Sequence, residues 1–269
     1  MTAAGPTAYD CRLMTNDNSE LVRGAALITG GGRRIGAAIA RTLAGAGYAV
    51  VLHARHSRAE AEQLAGEIAQ AGGKAHVMLG DLADAAAVEE LVPAAAAVFG
   101  PLTLLVNSAS EFEQDDIATL TRAGFDRAMA VNLAAPLFLA QAFAAQAPAG
   151  SSVVNVLDQR VLKPTPLFFS YTLSKNALYT ATATLAQALA PKLRVNAVAP
   201  GPTLPSPRQR PEDFAAQAAS LPLEHGPTPQ DIAAAVLYLA GADSVTGVTI
   251  PVDGGQHLAW RTADSEVAE

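Results

Sequence analysis

Two periodicities alternate along the chain. Short, mostly apolar runs at residues 25–29, 48–53, 75–79, 102–107, 152–156, 194–198 and 248–252 predict strands covered on both faces. Between them the pattern turns helical, over 35–46, 58–71, 84–98, 121–146, 170–190 and 228–240, with Gly47 and the Gly72-Gly73 pair closing the first two. Strands alternating with helices predict a parallel sheet of about seven strands, doubly wound with right-handed crossovers. Residues 23–262 fit one Rossmann-type α/β domain, with 1–22 as a flexible N-terminal extension and 263–269 as a C-terminal tail. Prolines at 200, 202, 205, 207, 211, 222, 227 and 229 mark the segment between the last two strands as a surface loop or lid, or else an inert connection.

Composition narrows the function. Half of the 269 residues are apolar and 16% are charged, a globular balance. A net charge of −7 argues against nucleic acid or an anionic membrane as partner and leaves a small-molecule substrate. Cys11 is the single cysteine, so neither an intrachain disulfide nor a Cys/His metal cluster is expected. Residues 1–22 hold no apolar run of signal-peptide length, and Ala-rich stretches such as 92–99 are too short to cross a bilayer. A cytoplasmic enzyme without a metal is the expectation.

Chemistry first shows in the turn Thr29-Gly30-Gly31-Gly32-Arg33-Arg34-Ile35-Gly36, which follows a strand and opens a helix. Glycines let backbone approach a pyrophosphate, and the helix N-terminus favours the anion. Gly30, Arg33, Arg34, Ile35 and Gly36 are therefore candidate cofactor contacts, although a glycine-rich turn can be only a turn. The second strand ends in Ala54-Arg55-His56-Ser57-Arg58, with no acid to hold a ribose diol. Arg55, His56 and Ser57 suit a 2′-phosphate, and Arg33 can add charge, which favours NADPH over NADH. The alternative is a solvated basic helix start, which the helix dipole disfavours unless an anion sits there.

Tyr171 and Lys175 stand four apart on a helical pattern and share a face. A nearby ammonium favours the phenolate, so the tyrosine pKa should fall from about 10 towards neutrality and make it a usable acid. Taken alone, such a pair is more often a surface pair; its place after the fifth strand raises it.

Over residues 24–262 the chain resembles the short-chain dehydrogenase/reductase family. The resemblance rests on the glycine turn, Asp81-Leu82, Asn107-Ser108-Ala109-Ser110, Asn132, Tyr171 with Lys175, Pro200-Gly201 and Val252-Asp253-Gly254-Gly255, standing in the family's order. It implies that Asp81 contacts adenine, that Leu82, Asn107, Ser108, Ala109, Pro200 and Gly201 line the cofactor, that Asn132 holds a proton-relay water and the Lys175 region, and that Lys175 binds the nicotinamide ribose. Three departures point to the pteridine reductase branch: Arg34 where glycine is usual, the altered segment 107–110, and Asp158 in place of the family's serine. That branch implies Arg34, Ser110, Phe112, Asp158 and Tyr171 at the substrate, with Phe112 stacked on the pterin. It also implies His56 and Ser57 at the 2′-phosphate and Thr203 beside the pyrophosphate. Plainer roles are a structural or ribose carboxylate for Asp158, core packing for Phe112 and a turn brace for Asn132.

Physical chemistry separates the enzyme readings. A ketone reducer needs a hydrogen-bond donor at the carbonyl, and a carboxylate there opposes the developing alkoxide. Reduction across C=N instead requires a proton on nitrogen, which a carboxyl–tyrosine pair can supply. The expected activity is NADPH-dependent reduction of a dihydropteridine such as dihydromonapterin or dihydrofolate. A carbonyl or 3-oxoacyl reductase is the alternative, and an NADPH sensor without turnover is a third. The Ala- and Thr-rich run 176–186 in the Tyr171 helix permits close helix approach. With the family resemblance it implies a homotetramer or homodimer, unless the helix is buried within one monomer.

Overall fold

β1 (Ala25–Thr29) is buried at every residue because strands lie on both sides of it and helices cover both faces. The computed structural model describes residues 23–206 and 208–260; the expected extension 1–22 with Cys11, Pro207 and the tail 263–269 lie outside the described residues. From β1 the chain runs through α1 (Arg34–Gly45), β2 (Ala49–Ala54), α2 (Arg58–Gln70), β3 (Ala75–Leu79), α3 (Ala85–Phe99) and β4 (Leu102–Asn107). It continues through α4 (Arg122–Met129), α5 (Ala135–Gln146), β5 (Ser152–Val156), α6 (Phe169–Leu189) and β6 (Arg194–Pro200). α7 (Pro211–Ala219), α8 (Pro229–Gly241) and β7 (Thr249–Val252) complete it. The seven strands pair in parallel in the order β3-β2-β1-β4-β5-β6-β7, as the alternation of patterns requires. The order reverses between β1 and β4, the crevice where such sheets bind ligands.

Two apolar cores flank the sheet. Ile39, Leu43, Ile232, Val236 and Leu239 of α1 and α8 cover one face. Leu91, Val92, Leu139 and Phe143 of α3 and α5 cover the other. The span Arg122–Gln146 is long and apolar enough to cross a membrane by length and mean hydropathy, 1.6, yet Leu139, Ala140 and Phe143 are spent in this core.

Two segments differ from expectation. The single helix expected over 121–146 is interrupted by a π-helical turn at Ala130–Ala134. Its wider turn carries the buried Val131 and Asn132; such turns recur at functional sites. The proline-rich segment, expected as a loop, contains α7. Pro211 takes the first helical turn, where no N–H is needed, and Glu212 and Asp213 complement the helix dipole. α7 buries no residue, so it is a surface element, as a lid would be.

His53, at the end of β2, ties three strand ends together. Its Nδ1 accepts from Gly30 N (3.4 Å) in the phosphate turn, and its Nε2 faces Gly80 O (3.1 Å) after β3. That pattern needs the neutral ring with its proton on Nε2. Burial lowers the His53 pKa below its usual 6.5, against opposing contributions from the Gly80 carbonyl and Asp81. The unfolded chain therefore binds this proton at a higher pH than the folded one. The histidine's contribution to stability is complete above about 6.5 and is lost as pH falls from there through the folded value. Tm should fall as pH drops below about 6.5, and His53→Gln should flatten that decline. His53→Ala should cost about 1–3 kcal/mol by stranding its partners. Thermal unfolding from pH 5 to 8 checks this; superimposable curves for wild type and His53→Gln would exclude the role.

Candidate functional site

The phosphate turn sits at the crevice between β1 and β4. A Cβ on Gly30 would lie 2.9 Å from Ala109 Cα, and one on Gly36 would lie 2.1 Å from Gly30 O; the two loops meet too closely for side chains. Thr29 Oγ1 fastens them, accepting from Ser108 N (3.0 Å) and Ala109 N (3.1 Å). Arg33 is the N-cap of α1, and no side chain caps that helix. Its first N–H groups can thus meet an anion, as a dinucleotide pyrophosphate requires. Ile35 is half-buried at the helix start. Arg34 has a positive φ of 54° and crosses to the lid segment, where it donates to Leu204 O (3.3 Å) and Pro205 O (3.1 Å).

His56 is exposed beyond β2. Ser57 is the N-cap of α2 but forms no capping bond, which leaves its hydroxyl for another acceptor. These features fit a 2′-phosphate. Arg55 is shared: its Nη1 lies 3.0 Å from Glu111 Oε2. Glu111 also accepts from Arg127 Nε (3.1 Å), and Arg127 Nη2 reaches Asp81 at 3.2 Å. Asp81, expected at adenine, is thus joined to an ion network that runs to the substrate loop; Leu82 beside it is buried. Asn107 also differs from expectation. Its amide points inward, donating to Asn155 Oδ1 (2.9 Å), and Asn155 donates to Thr182 Oγ1 (3.0 Å). Pro200 and Gly201 end β6, where Gly201 N donates to Val252 O (3.0 Å) and Thr203 Oγ1 donates to Gly201 O (3.0 Å).

Tyr171, Asp158, Lys175 and Asn132 are brought together. Tyr171 Oη donates to Asp158 Oδ2 at 3.0 Å. Lys175 is 2% exposed; its Nζ donates to Val156 O (2.8 Å) and lies 5.9 Å from the Tyr171 ring centroid. Burial lowers the lysine pKa to about 8, with Asp158 opposing. The expected lowering of the tyrosine pKa is not what the structure gives. Burial, followed by the Asp158 charge, raises it well above its ordinary value, with Arg160 opposing. The phenol is therefore the acid form, as a proton donor must be.

Asn132 braces the site with its side chain. Its Oδ1 accepts from Glu111 N (2.8 Å) and Ser110 Oγ (3.2 Å), and its Nδ2 donates to Glu111 O (2.9 Å) and Ser174 Oγ (3.0 Å). Asp115 makes a second tie, accepting from Ser170 N and Oγ at the start of α6. Both fix the loop that carries Phe112 against the Tyr171 helix.

Phe112 is not core packing. It meets Tyr171 edge-on, with centroids 4.7 Å apart, and stacks on Phe168 at 4.4 Å and 8°. Phe168, with a positive φ of 54°, was not found from sequence, nor were Arg160 and Arg208. Arg160 contacts Asp158 and both phenylalanine rings. Arg208, in the lid segment, donates to Phe112 O (2.8 Å) and Glu113 Oε2 (3.1 Å). No spacing rule flags these three, because they converge from separate loops. Among the described residues no cluster of His, Cys, Asp and Glu suits a metal ion.

Known proteins are similar to this chain in sequence and fold. A family model described as enoyl-(acyl carrier protein) reductase matches residues 30–257. An uncharacterised oxidoreductase of Methylorubrum extorquens is 36% identical over 247 residues, covering 88% of this chain and 99% of its own. The FolM alternative dihydrofolate reductase 1 of Brucella canis, solved with NADP, is 48% identical with a TM-score of 0.88, covering 91% of this chain and 98% of that one. Its counterpart from Brucella suis, also solved with NADP, is 49% identical with the same TM-score, covering 90% and 98%. The matched model runs from the phosphate turn to the residues beyond β7, and the protein belongs to the short-chain dehydrogenase/reductase family.

Proposed function

We propose that this oxidoreductase reduces a dihydropteridine-like heterocycle across a C=N bond with NADPH. The observation that carries the reading is the Tyr171–Asp158 hydrogen bond beside the half-buried Phe112 ring. Asp158 occupies the place of a ketone reductase's donor, yet it accepts from Tyr171 and Arg160. It therefore suits a ring nitrogen that must gain a proton better than a carbonyl that must receive a hydrogen bond. Support also comes from the similarity to alternative dihydrofolate reductases solved with NADP. When bound, the cofactor would supply the hydride for the ring carbon. Phe112 orients the heterocycle, Tyr171 Oη delivers the proton to the adjacent nitrogen, and Lys175 holds positive charge beside the phenol. His56, Ser57 and Arg33 would meet the 2′-phosphate. Leu173 and Tyr179 are exposed on the outer face of α6, so burial wholly within one monomer does not hold. We propose a homodimer or homotetramer through that face; a monomeric mass by light scattering would exclude it.

The discriminating experiment compares wild type with Asp158→Ser on dihydrobiopterin and on a ketone panel, each with NADPH and NADH. General acid–base groups contribute ~10²–10⁴-fold, so pterin kcat should fall at least about tenfold in the variant. NADPH should be preferred over NADH by at least about tenfold, roughly 1.4 kcal/mol. Undiminished pterin turnover in Asp158→Ser would reject the assignment of Asp158. A wild type that favours ketones would move the enzyme to the carbonyl reductase reading, and one that binds NADPH without turnover to a sensor.

The pH dependence gives a further check. Tyr171 titrates well above 10, so the ammonium that first loses its proton is Lys175, at about 8. The kcat/KM of the free enzyme should decline as pH rises through about 8. A profile flat to pH 10 would show that the lysine charge is not needed.

A further inference from the structure

One cation stands inside the site without a role in the reaction as described. Arg160 follows β5 in a short 3₁₀ turn, Gln159–Val161. Its backbone N donates to Asp158 Oδ1 (2.9 Å), and its Nη1 lies 3.2 Å from Oδ1 and 3.0 Å from Oδ2. The same Oδ2 accepts the Tyr171 hydroxyl. The guanidinium carbon lies 5.3 Å from the Phe168 ring centroid and 5.7 Å from that of Phe112, within reach of a cation–π attraction to each. Its Nε is buried and has no hydrogen-bond partner, an uncommon condition for a charged donor.

The proton transfer explains why a cation belongs there. The phenol carries one proton, which points at Asp158. Moving it to a ring nitrogen breaks the O–H bond, forms N–H and leaves a phenolate about 3 Å from a carboxylate. Two anions so close in a dry site repel strongly. Lys175 attracts Asp158 through space, but its ammonium donates to Val156 O and not to the carboxylate. Arg208, 5.9 Å from the Phe112 ring centroid, is engaged by Glu113 on the outer side. Among the described residues, Arg160 is the cation in contact with the carboxylate.

We propose that Arg160 is a positioning residue of the proton transfer, which neutralises Asp158 so that Tyr171 can ionise beside it. The substrate class rests on the pteridine reading; the charge argument rests on Asp158 and Tyr171 alone. The opposing effect of Arg160 on the raised tyrosine pKa agrees with it.

A double-mutant cycle on the full chain tests the proposal, since coupled groups fail to add. Arg160→Gln, Asp158→Asn and the double variant are compared for kcat, KM and the pH profile of kcat, with Arg160→Lys as the conservative change and NADPH binding as a control. The substrate is whichever of dihydrobiopterin and the ketone panel the wild type reduces faster. Arg160→Gln should lower kcat at least tenfold and alter the pH profile, while NADPH affinity stays within twofold. Arg160→Lys should recover part of kcat, because it restores charge without the planar fork. With Asp158→Asn present, where no anion needs neutralising, Arg160→Gln should cost less than threefold. An equal loss in both backgrounds, or an Arg160→Gln enzyme within twofold of wild type, overturns the proposal. A wild type that prefers the ketone overturns the pteridine reading alone, and the same cycle then reads the charge argument on that ketone. If Arg160→Gln does not fold, Arg160→Met, which removes the charge and keeps an unbranched stem, carries the test: undiminished kcat with an unchanged pH profile overturns the proposal as well.

Discussion

A single buried amide holds the site in register. Asn132 is 0% exposed, and both ends of its side chain are occupied: two donors are drawn to its oxygen, and its nitrogen gives to two acceptors. Those partners belong to the loop after β4 and to α6, so the amide fixes the distance between Phe112 and Tyr171. Leaving such partners unmet in the interior costs about 1–3 kcal/mol per group. The π-helical turn makes the contact possible, because one wider turn aims Asn132 inward while α5 keeps its packing on the sheet and α4 lies against α6.

Charge follows the same geometry. Arg55, Glu111, Arg127 and Asp81 form a chain from the end of β2 to the loop that bears Phe112. Glu111 contributes its carboxylate to that chain and its backbone to Asn132. The segments that flank the sheet crevice therefore share partners, and the cofactor side and the substrate side are not electrostatically separate.

Much of this was legible in the sequence. Unalternated apolar runs such as 102–107 fixed a parallel sheet, because only strands covered on both faces read that way. The phosphate turn was recognisable from glycines in a strand–turn–helix context, and Asp158, Tyr171 and Phe112 from their spacing within a family pattern. What stayed hidden depended on direction and burial. The π-helical turn leaves the apolar pattern of 121–146 unbroken. Asn107 turns inward to Asn155 although its position in the family pattern implies the cofactor. The tyrosine pKa was inferred from the lysine four residues away, whereas its sign is set by desolvation and by a carboxylate thirteen residues earlier. Arg160 and Phe168 carry no spacing signal; only the fold sets them around Phe112.

Arg34 couples a strained backbone to a tie between two loops. A side chain at φ 54° bears a backbone strain of roughly 1–2 kcal/mol, which glycine, usual at this place in the family, would relieve. The same arginine is the tie between the phosphate turn and the carbonyls of Leu204 and Pro205. Glycine here would relax the backbone but lose both hydrogen bonds and give the unfolded chain more freedom, so the strain and the tie largely offset each other. The arginine thus pins the lid segment to the phosphate turn at little net cost in stability, and the two move as one body.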